Sequence, residues 1–206
     1  MRNIRAGRLI GIPIIINPSW FILFGLTTWL LATQSFPDAL PRSSTQVHIA
    51  MAAVSVVVFF VSIILHELAH SLVAKQQHIP VKSITLFVFG GVSHITKEPK
   101  RPLAELWMAF AGPLTSLLLA FAFFGVWWLA GANQSRPVDF VLFWLTWMNA
   151  ALAIFNLVPA YPMDGGRIFR ALVWLVTGNY ARSTTIAGWA GRGFGWLMIG
   201  AGVLTL

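Results

Sequence analysis

Residues 54–74 read VSVVVFFVSIILHELAHSLVA, an apolar run long enough to cross a bilayer, with two histidines and a glutamate set inside it. A hydrocarbon core of about 30 Å takes roughly 20 apolar residues as a helix. In that medium the backbone must satisfy its own hydrogen bonds, so the stretch has to be helical. Ionisable side chains there cost ~2.5 kcal/mol or more each unless paired or put to use. A chain with this segment is an integral, multi-pass membrane protein if the pattern repeats, and it does.

Further apolar runs at 19–33, 49–74, 103–131, 138–158 and 184–206 predict five spans. Residues 168–177 are too few to cross and contain Arg170, so they read as a helix at the interface. Only 10% of the residues are charged, against about a quarter in soluble domains. With five spans the chain would stop at an apolar Leu206, so it is expected to be one membrane domain, residues 1–206, truncated before a sixth span. The expected fold is an all-α polytopic protein of five to six transmembrane helices, with short membrane-associated β-strands near the site.

The net charge of +8 does not make nucleic acid an expected partner, because in a membrane protein the placement of charge matters more than its sum. If the N-terminus is cytoplasmic, Arg2, Arg5, Arg8, Lys75, Lys82, Lys97, Lys100, Arg101, Arg167, Arg170, Arg182 and Arg192 fall inside. Only Arg42 and Arg136 fall outside. That asymmetry predicts a cytoplasmic N-terminus. The absence of cysteine removes disulfides and thiolate metal sites.

The longest polar connection contains VKSITLFVF and VSHIT around Gly90 and Gly91, two β-prone runs that predict a hairpin or a looped edge strand. The N-terminal RLIGIPIIINP is a further strand candidate. Pro13 and Pro18 lack a donor N–H and suit an edge.

On a helix, His66 and His70 lie four apart on one face, the spacing at which two imidazoles bind one metal ion. Glu67 follows the first ligand and is placed to act on water as a general base. A third ligand must come from elsewhere, and only six acidic residues exist. Asp38 and Asp139 fall on the outer side, and Glu98 and Glu105 at the inner rim. Asp164 stands in NLVPAYPMDGGR, just where the fourth span reaches the cytoplasmic side. His66 lies about 12 Å from the inner end of its span, so both elements converge on one leaflet. Irregular backbone at that depth must be buried in protein or line a water cavity.

The remaining polar groups read plainly. His48, His78 and His94 are surface or interface residues, Asn149 is packing, and Trp127, Trp128, Trp144 and Trp147 form an outer aromatic belt. Gly112, Ser116 and Ala120 recur every four residues, a stripe for close helix approach, with Pro113 as a kink.

HELAH in a span, FVFGGV in a loop, AGP in the third span and NLVPAYPMDGGR after the fourth together resemble the site-2 protease family of intramembrane zinc metalloproteases, over nearly the whole chain. The resemblance implies that His66, His70 and Asp164 hold one zinc ion, Glu67 is the general base and Asn156 holds or polarises the substrate carbonyl. Some members carry a PDZ domain or C-terminal cystathionine-synthase-like domains, and 206 residues leave no room for either. The expected substrate is a single-span membrane protein in the lipid bilayer, cut within or near its span. Phe89, Gly90 and Gly91 are the expected substrate-binding residues, through strand addition. The alternatives are a metal transporter or sensor without proteolysis, and an HExxH membrane protease that takes a distant glutamate as third ligand.

Overall fold

The computed structural model describes residues 3–88, 90–132 and 136–205. Two strands open the chain, β1 (Ile4–Leu9) and β2 (Ile12–Ile16), followed by α1 (Trp20–Leu30), a π-helical turn (Leu31–Ser35) and the short α2 (Phe36–Ala39). Then come α3 (Thr45–Gln76), β3 (Val81–Phe87), β4 (Gly90–Ile95), α4 (Pro102–Leu129), α5 (Pro137–Asn156), α6 (Asp164–Thr177) and α7 (Tyr180–Leu204).

Helix α3 is the axis of the molecule, packing against α1, α4, α5 and the sheet. Its 32 residues run about 48 Å at 1.5 Å per residue. Ser44 caps its start, the hydroxyl accepting from Val47 N–H. Among the described residues, α3, α4 and α5 are the helices long and apolar enough to cross a membrane. The five spans read from the sequence map less evenly onto the structure. The first apolar run is helical from Trp20 to Ala39 but is broken by the π turn. The last, α7, carries Arg182 and Arg192 and is diluted by glycine. Helix α6 is indeed too short to cross, at 14 residues. Arg170 is buried, and α6 packs against α4 and α7.

The sheet has the order β1-β2-β3-β4. The predicted hairpin is present as antiparallel β3 and β4. A second hairpin, β1–β2, turns through Ile10 and Gly11, both at positive φ. Strands β2 and β3 pair in parallel over Ile14–Ile16 and Ile84–Leu86, an interior pairing where an edge was expected. Pro13 is accommodated because its only ladder partner is Arg8 of β1; the β2–β3 pairing starts one residue later. One face of the sheet, with Ile12, Ile14 and Ile84, packs on Leu68 of α3. That contact brings β4, an edge strand, alongside the HELAH turns.

Candidate active site

His66 and His70 are both buried on one face of α3, and Asp164 is the first residue of α6. Their ligand atoms form a nearly equilateral triangle. His66 Nε2 is 3.1 Å from Asp164 Oδ2, His70 Nε2 is 3.2 Å from it, and the two Nε2 atoms are 3.2 Å apart. Ligands at ~2.0–2.1 Å around a tetrahedral ion sit about 3.3 Å from one another. The triangle therefore has the dimensions of three vertices of such a site, with the fourth left to water or substrate.

The far side of each imidazole supports this arrangement. His70 Nδ1 lies 2.6 Å from the Met108 carbonyl oxygen, which can only accept, so Nδ1 carries a proton and Nε2 is the ring atom left to face a metal. His70 Nε2 stands 3.2 Å from Asp164 Oδ2, close enough for both atoms to bind one cation. His66 Nδ1 is held 2.9 Å from Ser116 Oγ. Such outer partners orient ligating histidines and raise their basicity. Burial by itself would raise the pKa of Asp164; the His70 and His66 rings reverse this and hold it well below the usual carboxylate range. The residues fit a single metal ion with the His/His/carboxylate set that zinc takes.

Two residues assigned only to packing belong to this centre. A Cβ on Gly112 would overlap Nε2 of both histidines, so α4 approaches the ligand atoms as closely as a glycine allows. Ser116, one turn on, is the His66 partner. The small-residue stripe is a wall of the metal centre, and its four-residue spacing was the available signal. Gly165 lets α6 start against the preceding loop, since a Cβ there would overlap the carbonyl oxygens of Leu157 and Val158.

Glu67 points to the strand side. Ser93 Oγ of β4 is 2.7 Å from Glu67 Oε2 and 3.0 Å from the Glu67 carbonyl oxygen, and accepts from Ser71 Oγ at 3.1 Å. Gly91 packs on the same side chain: a Cβ there would lie 2.7 Å from Glu67 Cγ. Asn156 ends α5, and its amide donates to the Leu152 carbonyl at 2.9 Å, an intrahelical bond rather than a bridge to another helix. Gly90, at φ +119 with open space where a Cβ would be, lines the same cleft as the glutamate. Phe89 lies outside the described residues.

Two clefts meet at Glu67, Gly91 and Asn156. One, about 390 Å³, is walled by Leu23, Phe59, Ile63, Leu152 and Phe155 and is apolar. The other, about 200 Å³, holds His70, Ser93, Asp164 and Arg167. A neighbouring polar cavity of about 330 Å³ shares Ser93 and Arg167 with it and continues to Lys97, Glu98 and Arg170. His48, by contrast, is tied to the Leu40 carbonyl at 3.0 Å, and His94 to Thr85 Oγ1 at 3.1 Å; neither joins the site.

The family model for peptidase family M50 matches residues 54–141 and 129–200. The chain belongs to peptidase family M50. A solved site-2 protease from Methanocaldococcus jannaschii superposes with a TM-score of 0.64 at 33% identity, covering 99% of this chain and 86% of that one. A Synechocystis protein named as a zinc metalloprotease is 42% identical over 98% of this chain and 52% of its own length. The Methanocaldococcus jannaschii zinc metalloprotease MJ0392 is 35% identical over 99% of this chain and 55% of its own. The chain thus spans about half the length of these relatives.

Proposed function

We propose that this chain is the membrane protease domain of an intramembrane zinc metalloprotease that hydrolyses peptide bonds within or near the transmembrane segment of another protein. The observation that carries the reading is the His66, His70 and Asp164 triangle with Glu67 beside it, where an apolar and a polar cleft meet. A zinc ion held by the three ligands would supply Lewis acidity, lowering the pKa of water to about 7 and polarising a carbonyl.

Glu67 takes the proton of the attacking water and passes it to the leaving amine. Ser93, by holding one carboxylate oxygen at 2.7 Å, limits the glutamate to rotamers facing the cleft. The Asn156 amide would turn from the Leu152 carbonyl to the scissile carbonyl oxygen, exchanging one acceptor for another. The apolar cleft receives the substrate segment and the polar one admits water.

A helical substrate hides its carbonyls, and unwinding it in lipid exposes unpaired backbone. The free edge of β4 would pair with the unwound segment and replace those hydrogen bonds. In this reading α1 with its π turn and α7 join α3, α4 and α5 as spans, the N-terminus is cytoplasmic and the site opens to that side. The membrane substrate is a single-span protein.

The test is cleavage of a single-span substrate in reconstituted membranes by the native chain and by Glu67→Gln, with bound zinc quantified in both. Cutting by the native chain and none by a zinc-loaded variant is the expected result. Equal cutting by both removes Glu67 from the chemistry. Zinc flux across the membrane without cutting would instead make the chain a transporter.

A further inference from the structure

A cavity of about 560 Å³ opens where α3 ends and the chain approaches α4. It shares no residue with the two clefts that meet at Glu67, and shares Lys97 and Glu98 with the polar cavity beside them. We infer that it binds a phosphate-bearing anion, presented by the headgroup of an anionic phospholipid.

Charge is the first reason. Lys97, Lys100 and Arg101 line the cavity, all exposed. Among the described residues none of the three has a carboxylate partner within ion-pair distance; the pairs that do form use His66, His70, Arg136, Arg167 and Arg170. The one acid on the wall, Glu98, has Arg170 at 3.8 Å. Three uncompensated cations around one concavity leave a positive field that a phosphate's oxygens can satisfy together.

The second reason is that the wall is built before any ligand arrives. Gln77 Nε2 donates to the Ala104 carbonyl at 2.8 Å, clamping the end of α3 to the first turn of α4. The α3 terminus closes with Ile79 N–H on the Ala74 carbonyl at 2.9 Å. That closure puts His78 at φ +59, a position usually held by glycine. An imidazole on the cavity wall is what the sequence has there instead. The buried Gln77 Oε1, on the same side chain, has no hydrogen-bond partner.

Location selects the source. The cavity lies at the ends of α3 and α4, two of the membrane-length helices, the depth at which headgroups sit and basic residues meet anionic lipid. Ile79, an apolar residue of the lining, offers contact to a glycerol backbone. The volume suits one headgroup and not a folded partner.

The test uses the whole chain in phosphatidylcholine nanodiscs with and without phosphatidylglycerol, reading retained lipid by native mass spectrometry and the melting midpoint. A parallel arm in detergent adds glycerol 3-phosphate or inorganic phosphate. The cavity variant is Lys97→Gln/Lys100→Gln/Arg101→Gln. A control variant, Arg5→Gln/Arg8→Gln/Lys82→Gln, removes equal charge elsewhere. The expected result is phosphatidylglycerol retained by the native chain and the control, raising both midpoints, and at least tenfold less retained by the cavity variant. Response to soluble phosphate alone keeps the phosphate site and assigns it to a free anion. Equal loss in both variants shows diffuse surface attraction and overturns the inference, as does no binding of either phosphate source. The cavity variant must melt with the native chain in phosphatidylcholine alone, which separates lost binding from lost folding.

Discussion

Arg170→Met removes one half of a buried ion pair. Arg170 Nε and Nη2 both reach Glu105 Oε1, the Nε bond at 2.9 Å, and both side chains are buried. Glu105 Oε2 already lacks a partner, and the nearest other cation, Arg167 Nε at 3.8 Å, is beyond hydrogen-bond length. Arg170 also sits over the rings of Tyr180 at 4.8 Å and Tyr161 at 5.7 Å, so it ties α6 to α4, to the loop before Asp164 and to the start of α7. Breaking a buried pair from one side leaves an uncompensated charge and costs ~3–5 kcal/mol. For a chain of this size that is a fall of roughly 6–20 °C in melting midpoint. The double variant Glu105→Met/Arg170→Met removes both charges, and such replacements are often neutral; it should recover to within ~1 kcal/mol of native. The assay is thermal unfolding in detergent without zinc, followed by tryptophan fluorescence. A single variant costing under ~1 kcal/mol, or a double variant no better than the single, would refute the reasoning about the stranded Glu105 charge.

Gly112→Ala should abolish stoichiometric zinc binding, because its Cβ occupies the space of the ligand nitrogens; metal analysis of the purified variant decides it, and full occupancy would mean α4 can retreat. Ser116→Ala removes the hydroxyl 2.9 Å from His66 Nδ1 and should weaken zinc affinity ~10–100-fold, measured by competition with a chelator. Gly91→Ala should keep zinc and lose turnover by ~10²-fold or more, because the added methyl lies 2.7 Å from Glu67 Cγ and displaces the base; unchanged cleavage would show that Glu67 has room to move.

The clustering of His66, His70 and Asp164 was largely legible because it depends on short-range spacing and scarcity. His66 and His70 share a face by helical pitch alone, and with six acidic residues in the chain Asp164 had few rivals. Apolar length likewise marked α3, α4 and α5, because lipid leaves the backbone no alternative to a helix. The β3–β4 hairpin followed from β-prone runs flanking a glycine pair.

What tertiary structure decided are the contacts whose partners lie far apart in the chain. The parallel pairing of β2 with β3 joins residues some seventy positions apart, and no local pattern specifies which strand lands beside which. Gly112 and Ser116 look like any small-residue stripe until α4 docks on the imidazoles. Ser93 is an ordinary strand residue until the sheet, seated on Leu68, sets it against Glu67. The partner of Arg170 could not be read locally because Glu105 is 65 residues away. Periodicity reports which face of an element is apolar; only packing decides what that face meets, and here it brought Asp164, Gly112 and Ser116 to the histidine pair.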